Sequence, residues 1–173
     1  MLLVGAGLLA KHVVALPAPS TDARLSRSLG ELRRAGGPDW LAVHVLYAEC
    51  RCSQRIVAHL TTTERPRGWQ EVVLWVGQAA PEPALSRAFD VRRVSEQQLA
   101  RWGVESAPLL VALGPDGRVA YAGGYTDRKQ GPDIRDLRIL SAAESGGALS
   151  SLPVFGCAVS ERLKSALAAL PAL

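Results

Sequence analysis

The chain is short of the features that would place it in several large functional classes. Its apolar start, Met1 to Leu16, is broken by Lys11 and His12, short of the roughly 20 apolar residues a spanning helix requires. No block of basic residues alternates with aromatics. The net charge of +4 comes from scattered arginine, which argues against a nucleic-acid partner. Gly5-x-Gly7 is too short for a nucleotide loop, and no serine, histidine and acid are spaced as a hydrolytic triad. There is no internal repeat or low-complexity segment. Cysteine is scarce, at three residues, and a domain of 173 residues buries about 70% of its unfolded surface without staples. Folding therefore has no need of disulfides, and the cysteines call for another explanation. The charged fraction of 21% and the hydrophobic fraction of 48% are those of an ordinary globular domain.

Two of the three cysteines lie together. The apolar run Leu41, Val43, Val45, Tyr47 predicts a strand over Trp40 to Ala48, and it leads into Glu49-Cys50-Arg51-Cys52-Ser53. A helix is predicted over Cys52 to Leu60, with Ile56, Val57 and Leu60 on one face. The start of a helix offers unpaired N–H groups and about half a positive charge, which favours a thiolate over a thiol. On a regular helix, residues i and i+2 point about 200° apart. A bridge between Cys50 and Cys52 thus requires Cys50 to precede the helix, exposed, with Cys52 in its first turn. Such a tight ring is strained and labile. Cys50 is read as the attacking thiolate and Cys52 as the resolving thiol. An ordinary thiol is only about 3% ionised at neutral pH. The helix terminus supplies at most about 2 kcal/mol, so Arg51 or Arg55 is expected to complete the activation, against Glu49.

The remaining pattern is regular. Leu16-Pro17-Ala18-Pro19-Ser20 reads as a stiff linker, which divides the chain into an apolar segment, 1–20, and a domain, 21–173. Helices are predicted over Arg24 to Arg34, Ala84 to Phe89, from a capping box at Ser95 up to Gly103, over Pro132 to Ser145, and over Ala158 to Leu170. Strands are predicted over Gln70 to Gly77, Val91 to Val94, Leu109 to Leu113 and Arg118 to Ala122, the last two joined by the turn Gly114-Pro115-Asp116-Gly117. Trp75 and Trp102 are read as core, and His44 as a satisfied core histidine. Asp133, Arg135, Asp136 and Arg138 are read as a solvated helix face, and Gly123 to Lys129 as either a surface turn or a rim of the cysteine site.

Strand, cysteine pair, helix, strand, helix, Val104-x-x-x-Pro108, hairpin and helix is an order that resembles the thioredoxin superfamily over roughly Leu41 to Ser145. The likeness is to its exported or membrane-tethered branch. It implies an α/β three-layer fold with a central mixed sheet flanked by helices, to which this chain adds a C-terminal segment and helix. It also implies that Pro108 is cis and faces the cysteines. The chain departs from the family's pattern in three places: only Arg51 separates the cysteines, no tryptophan precedes them, and a tail with Leu152-Pro153-Val154-Phe155-Gly156-Cys157 follows.

The resemblance implies a thiol–disulfide oxidoreductase acting on protein disulfides or dithiols through Cys50, Cys52 and Pro108, with no organic cofactor. Cys157 either joins the pair as a third thiol or is a buried inert one. If it joins, copper(I) held by Cys50, Cys52 and Cys157 is the alternative, a metallochaperone-like role; His59, two turns beyond Cys52, lies too far along the helix to share it. A redox-inactive interaction module is a third reading. Residues 1–16 are expected to act as a tether or export signal, placing the domain in a periplasmic or other extracytoplasmic compartment, on the inner membrane where anchored.

Overall fold

The computed structural model describes residues 15–169. The expected tether therefore lies, except for Ala15 and Leu16, outside the described residues. Among those described, no helix is long and apolar enough to cross a membrane. In chain order the elements are α1 (Ala23–Gly30), β1 (Trp40–Tyr47), α2 (Arg51–Thr62), β2 (Trp69–Val76), α3 (Pro83–Ala88), β3 (Asp90–Arg93) and α4 (Glu96–Arg101). They continue with β4 (Ser106–Ala107), β5 (Leu109–Leu113), β6 (Val119–Gly123), α5 (Asp136–Glu144), β7 (Cys157–Ala158) and α6 (Glu161–Ala168).

Five strands form one mixed sheet in the order β3-β2-β1-β5-β6. β1 pairs in parallel with β2, and β2 with β3, whereas β5 runs antiparallel to both β1 and β6. β1, β2 and β5 are covered on both faces, which is why they read as nearly continuous apolar runs. Alternate residues of β1 feed two cores. Leu41, Val43 and Val45 join Leu25, Leu29 and Leu99 from α1 and α4. Ala42 and Leu46 join Ile56, Val57 and Leu60 of α2, Leu85 of α3, and Ile139 and Leu140 of α5. Each fully buried leucine or valine contributes about 1.5–3 kcal/mol. The fold is thus the expected three-layer α/β arrangement, with the central mixed sheet between helices.

This topology gathers the cysteine end. β1 leads directly into Cys50, and Val45 pairs with Leu109, so antiparallel β5 starts beside the end of β1. Gly123 at the end of β6 pairs with Leu110 and closes the same edge.

Several boundaries differ from the sequence pattern, each because of a tertiary contact. α1 stops at Gly30 rather than Arg34, where the chain tightens through Leu32 N to Leu29 O and Arg33 N to Gly30 O bonds. The Arg33 guanidinium then donates to the carbonyls of Asp39 and Gly114. α5 begins at Asp136 rather than Pro132, because Arg135 N donates to Tyr125 O at 2.9 Å and Asp136 is drawn into a buried ion cluster. Asp136 is therefore fully buried, not on a solvated face. Asp133, Arg135 and Arg138 do form the expected exposed ion pairs. α6 begins at Glu161 rather than Ala158, because Cys157–Ala158 pairs as a strand with Ser106–Ala107 and Ser160 then caps the helix. Trp102 is half-buried at the core margin, whereas Trp75 is inside it. The proline linker also rests on the domain at its start: Leu16 N donates to Val154 O at 2.8 Å, and Ser106 Oγ donates to Pro17 O.

Candidate functional site

Cys50 is the residue that caps α2, in extended conformation with φ −101° and ψ 116°. Its N–H donates to Tyr47 O, its carbonyl accepts from Gln54 N, and Tyr47 N donates to Ser53 Oγ at 3.0 Å. Gln54 Nε2 reaches back to Ala48 O at 2.7 Å. These bonds tie the strand end to the first helical turn and hold the Cys-x-Cys segment across it. Cys50 thus precedes the helix and Cys52 lies in its first turn, the placement that the i,i+2 geometry demanded. All three cysteines are free thiols.

Exposure differs from expectation. Cys50 is fully buried, while Cys52 and Cys157 are half-buried. The cover is the C-terminal segment: β7 pairs with β4 and sets Cys157 opposite Ala107. The Ala107–Pro108 peptide is cis, and Cys50 Sγ stands 3.8 Å from Ala107 O. Cys52 and Pro108 line a cavity of about 550 Å³, together with Arg51, Arg55, Tyr125 and Phe155. Thr126 and Gln130 also line it, so the segment after β6 forms part of its rim. The structure therefore brings Cys50, Cys52, Pro108 and Cys157 together. His12 lies outside the described residues.

The charge of this cluster settles on one sulfur. Hydrogen bonds from the Cys157 and Cys52 thiols hold the Cys50 thiol far below its ordinary range. Burial opposes them, and the N–H groups of Ser53 and Cys52 add support. Donation to Cys50, then burial, raises both Cys52 and Cys157, although the positive charge of Lys129 draws both down. Three thiols thus share one negative charge. The neighbouring sulfurs and the helix N–H groups do what Arg51 and Arg55 were expected to do. Arg55 instead donates to Gly131 O and acts on Cys52, while Glu49 is turned away, accepting from Gln78 N at 2.8 Å.

Behind the cavity lies a polar cluster that no motif announced. His44, fully buried, is hydrogen-bonded through Nδ1 to Tyr125 Oη and through Nε2 to Glu71 Oε2, both at 2.9 Å. Arg65 bridges Glu71, at 2.6 Å, and Asp136. Its Nη1 stands 2.7 Å from Asp136 Oδ2, an ion pair at an angle outside the hydrogen-bond range. His59 Nε2 completes the cluster 2.8 Å from Asp136 Oδ1. His44 is accordingly a satisfied core histidine, and His59 serves the cluster rather than the cysteines. The signal for it was Glu71, the one charge inside the apolar run of β2. Among the described residues, no group of three or more His, Cys, Asp or Glu side chains is arranged to hold a metal ion.

No family model and no curated protein matches the chain. Among solved structures, it is similar to an uncharacterized conserved protein from Geobacillus kaustophilus, at 14% identity and a TM-score of 0.56, covering 86% of this chain and 90% of that one. A thioredoxin-like protein from Aeropyrum pernix is 16% identical with a TM-score of 0.45, over 64% of this chain and 78% of the other. A thiol:disulfide interchange protein from Bacteroides sp. is 13% identical with a TM-score of 0.43, over 79% and 91%. The first likeness concerns the path of the chain, and the chemistry rests on the residues themselves.

Proposed function

We propose that this protein carries out thiol–disulfide exchange on protein disulfides or dithiols, with Cys50 as nucleophile and Cys52 as resolving thiol. The observation that carries this reading is the Cys50 sulfur: it sits at the start of α2, lies 3.8 Å from the carbonyl of the cis Ala107–Pro108 peptide, and is held below the ordinary thiol range by the neighbouring thiols. Attack by the Cys50 thiolate on a partner disulfide forms a mixed disulfide and releases one partner thiolate. Cys52 then attacks the Cys50 sulfur, forms the Cys50–Cys52 bond and releases the second partner thiolate. In the reverse direction the same steps oxidise a partner dithiol. Pro108 and the backbone before it align the partner segment, and no organic cofactor takes part. Residues 1–16, apolar by sequence, support a tether or export signal and hence a periplasmic or other extracytoplasmic site of action.

The test is reduction of a disulfide-bonded protein by the reduced chain. Cys50→Ser is expected to lower the rate by at least about a hundredfold, the scale of losing a covalent nucleophile. Cys52→Ser combined with Cys157→Ser should instead trap a mixed disulfide at Cys50. Exchange that survives Cys50→Ser at the wild-type rate ends this reading. Recovery of the full chain, residues 1–16 included, in the soluble fraction of a bacterial lysate would end the tether.

A further inference from the structure

The tail of this chain pairs with the backbone ahead of Pro108, the segment that the exchange reading assigns to the partner. Among the described residues β4 pairs with β7 and with no other strand, in an antiparallel register of Ser106 with Ala158 and Ala107 with Cys157. Val159 N extends this ladder by donating to Glu105 O at 2.8 Å. The approach is close enough to specify a residue. A Cβ added to Gly156 would collide with Ala107 O and stand 2.6 Å from Pro108 Cδ. On the other side of the cavity, a Cβ on Gly124 would collide with the Pro153 carbonyl. The segment is therefore a fitted strap, with glycine at these two points of close backbone approach. It sets Cys157 opposite Ala107, whose carbonyl oxygen stands 3.8 Å from Cys50 Sγ, and the Cys50 sulfur beside it is fully buried.

We propose that the strap is a tethered substrate: Cys157 exchanges with Cys50 as a partner cysteine would, giving a Cys50–Cys157 disulfide, and a partner gains access only by replacing the strap. This rests on the exchange reading of Cys50. The Cys50 thiolate attacks an external disulfide, of low-molecular-weight or protein origin. That disulfide breaks, a mixed disulfide forms on Cys50, and the departing thiolate takes up a proton. Cys157, releasing its proton to solvent, then attacks the Cys50 sulfur, and the second external thiolate leaves. The external disulfide is reduced to two thiols, and Cys50 and Cys157 are oxidised. Attack of Cys52 on the Cys50 sulfur afterwards moves the bond to Cys50–Cys52 and frees Cys157, with no net oxidation. The strap also names the partner class: an extended segment with glycine just before the reactive cysteine, as in Phe155-Gly156-Cys157.

The full chain carrying Cys52→Ser is oxidised with a small excess of glutathione disulfide, quenched with acid and N-ethylmaleimide, digested, and mapped by mass spectrometry. A monomer linked Cys50 to Cys157 is expected as the main product, and the wild type should show both Cys50–Cys52 and Cys50–Cys157. Gly156→Ala should lower the Cys50–Cys157 product at least tenfold, keep Cys50–Cys52 as the sign of an intact fold, and speed reaction of Cys50 with a Gly-Cys peptide disulfide. Finding Cys50 in the Cys52→Ser chain only as a glutathione adduct or in dimers, with Cys157 alkylated, overturns the proposal. If the wild type then still reduces protein disulfides through Cys50, the strap proposal alone has failed. Wild-type exchange by Cys50→Ser removes the exchange reading, and the tethered substrate with it.

Discussion

At the scale of single residues, the ionisation of Cys50 depends on who donates to it. Cys157 is its foremost donor, Cys52 follows, and burial works against both. A donor to the charged form lowers an acid's pKa, so removing one must raise it. Cys157→Ala is therefore expected to move the thiolate transition of Cys50 to higher pH by at least about one unit, or about 1.4 kcal/mol. Ultraviolet absorbance of the thiolate against pH reads this directly, with Cys52 replaced in both chains so that one other thiol does not blur the curve. An unmoved midpoint would mean that the Cys157 thiol does not reach the Cys50 sulfur. Sequence already marked the helix start as the source of activation. It could not show that two further thiols assist, because one of them arrives from more than a hundred residues away.

At the scale of elements, the strap is fastened at its far end by Glu105, which accepts from Ser160 Oγ at 3.0 Å and from Arg162 Nε at 2.7 Å. These bonds join the residue ahead of β4 to the cap of α6. The Arg162 hydrogen bond, followed by that of Ser160, outweighs burial and lowers the Glu105 carboxyl below its usual range. A carboxylate with a depressed pKa stabilises the fold above its unfolded value and loses that contribution as pH falls through the folded one. The fastening is thus present at neutral pH and weakens on acidification below about 4.5, the ordinary glutamate value. Glu105→Gln is expected to speed amide hydrogen exchange at Val159, whose N–H is bonded to Glu105 O, severalfold at pH 7, while β1 and β5 stay protected. Equal exchange in both chains would show that the strap is held without Glu105. The two-residue strands β4 and β7 were not legible in the sequence. Each is too short to carry a period, and their pairing exists only once the tail has folded back.

Across the whole molecule, the buried cluster of His44, Glu71, Arg65, Asp136 and His59 joins β1, β2, α2 and α5. Burial alone would raise the Glu71 carboxyl, but hydrogen bonds from His44 and Arg65 hold it at about 2. Relative to an ordinary value of 4.5, that depression corresponds to roughly 3 kcal/mol, present above pH 4.5 and lost as pH falls toward 2. Glu71→Gln should cost about 3 kcal/mol or more at pH 7, since Arg65 keeps only one carboxylate in a buried site. The gap to wild type should narrow on acidification from pH 4.5 to 2. Thermal melts of both chains across this range test it, and a gap independent of pH would mean that Glu71 is not ionised in the fold.

The alternation in β1, the apolar run of β2, the Pro-Asp-Gly hairpin and the Ser95 cap were all legible because each depends on neighbours within a turn or a strand. So was the position of Cys50 ahead of a helix and Cys52 within it, which two residues of spacing decide. Burial of Cys50 and the pairing of Glu71 with His44 were not, and the arrival of Cys157 stayed one of two alternatives, because each depends on groups far apart in the chain. Local dihedral preference and hydrophobic period act over a few residues. Hydrogen bonds between sulfurs, or between a strand and a tail, require the sheet to have closed first. Local pattern is enough for an α/β chain with a cysteine pair at a strand-to-helix junction; the burial of Cys50 and the return of the tail to Ala107 come from contacts that only the closed sheet makes.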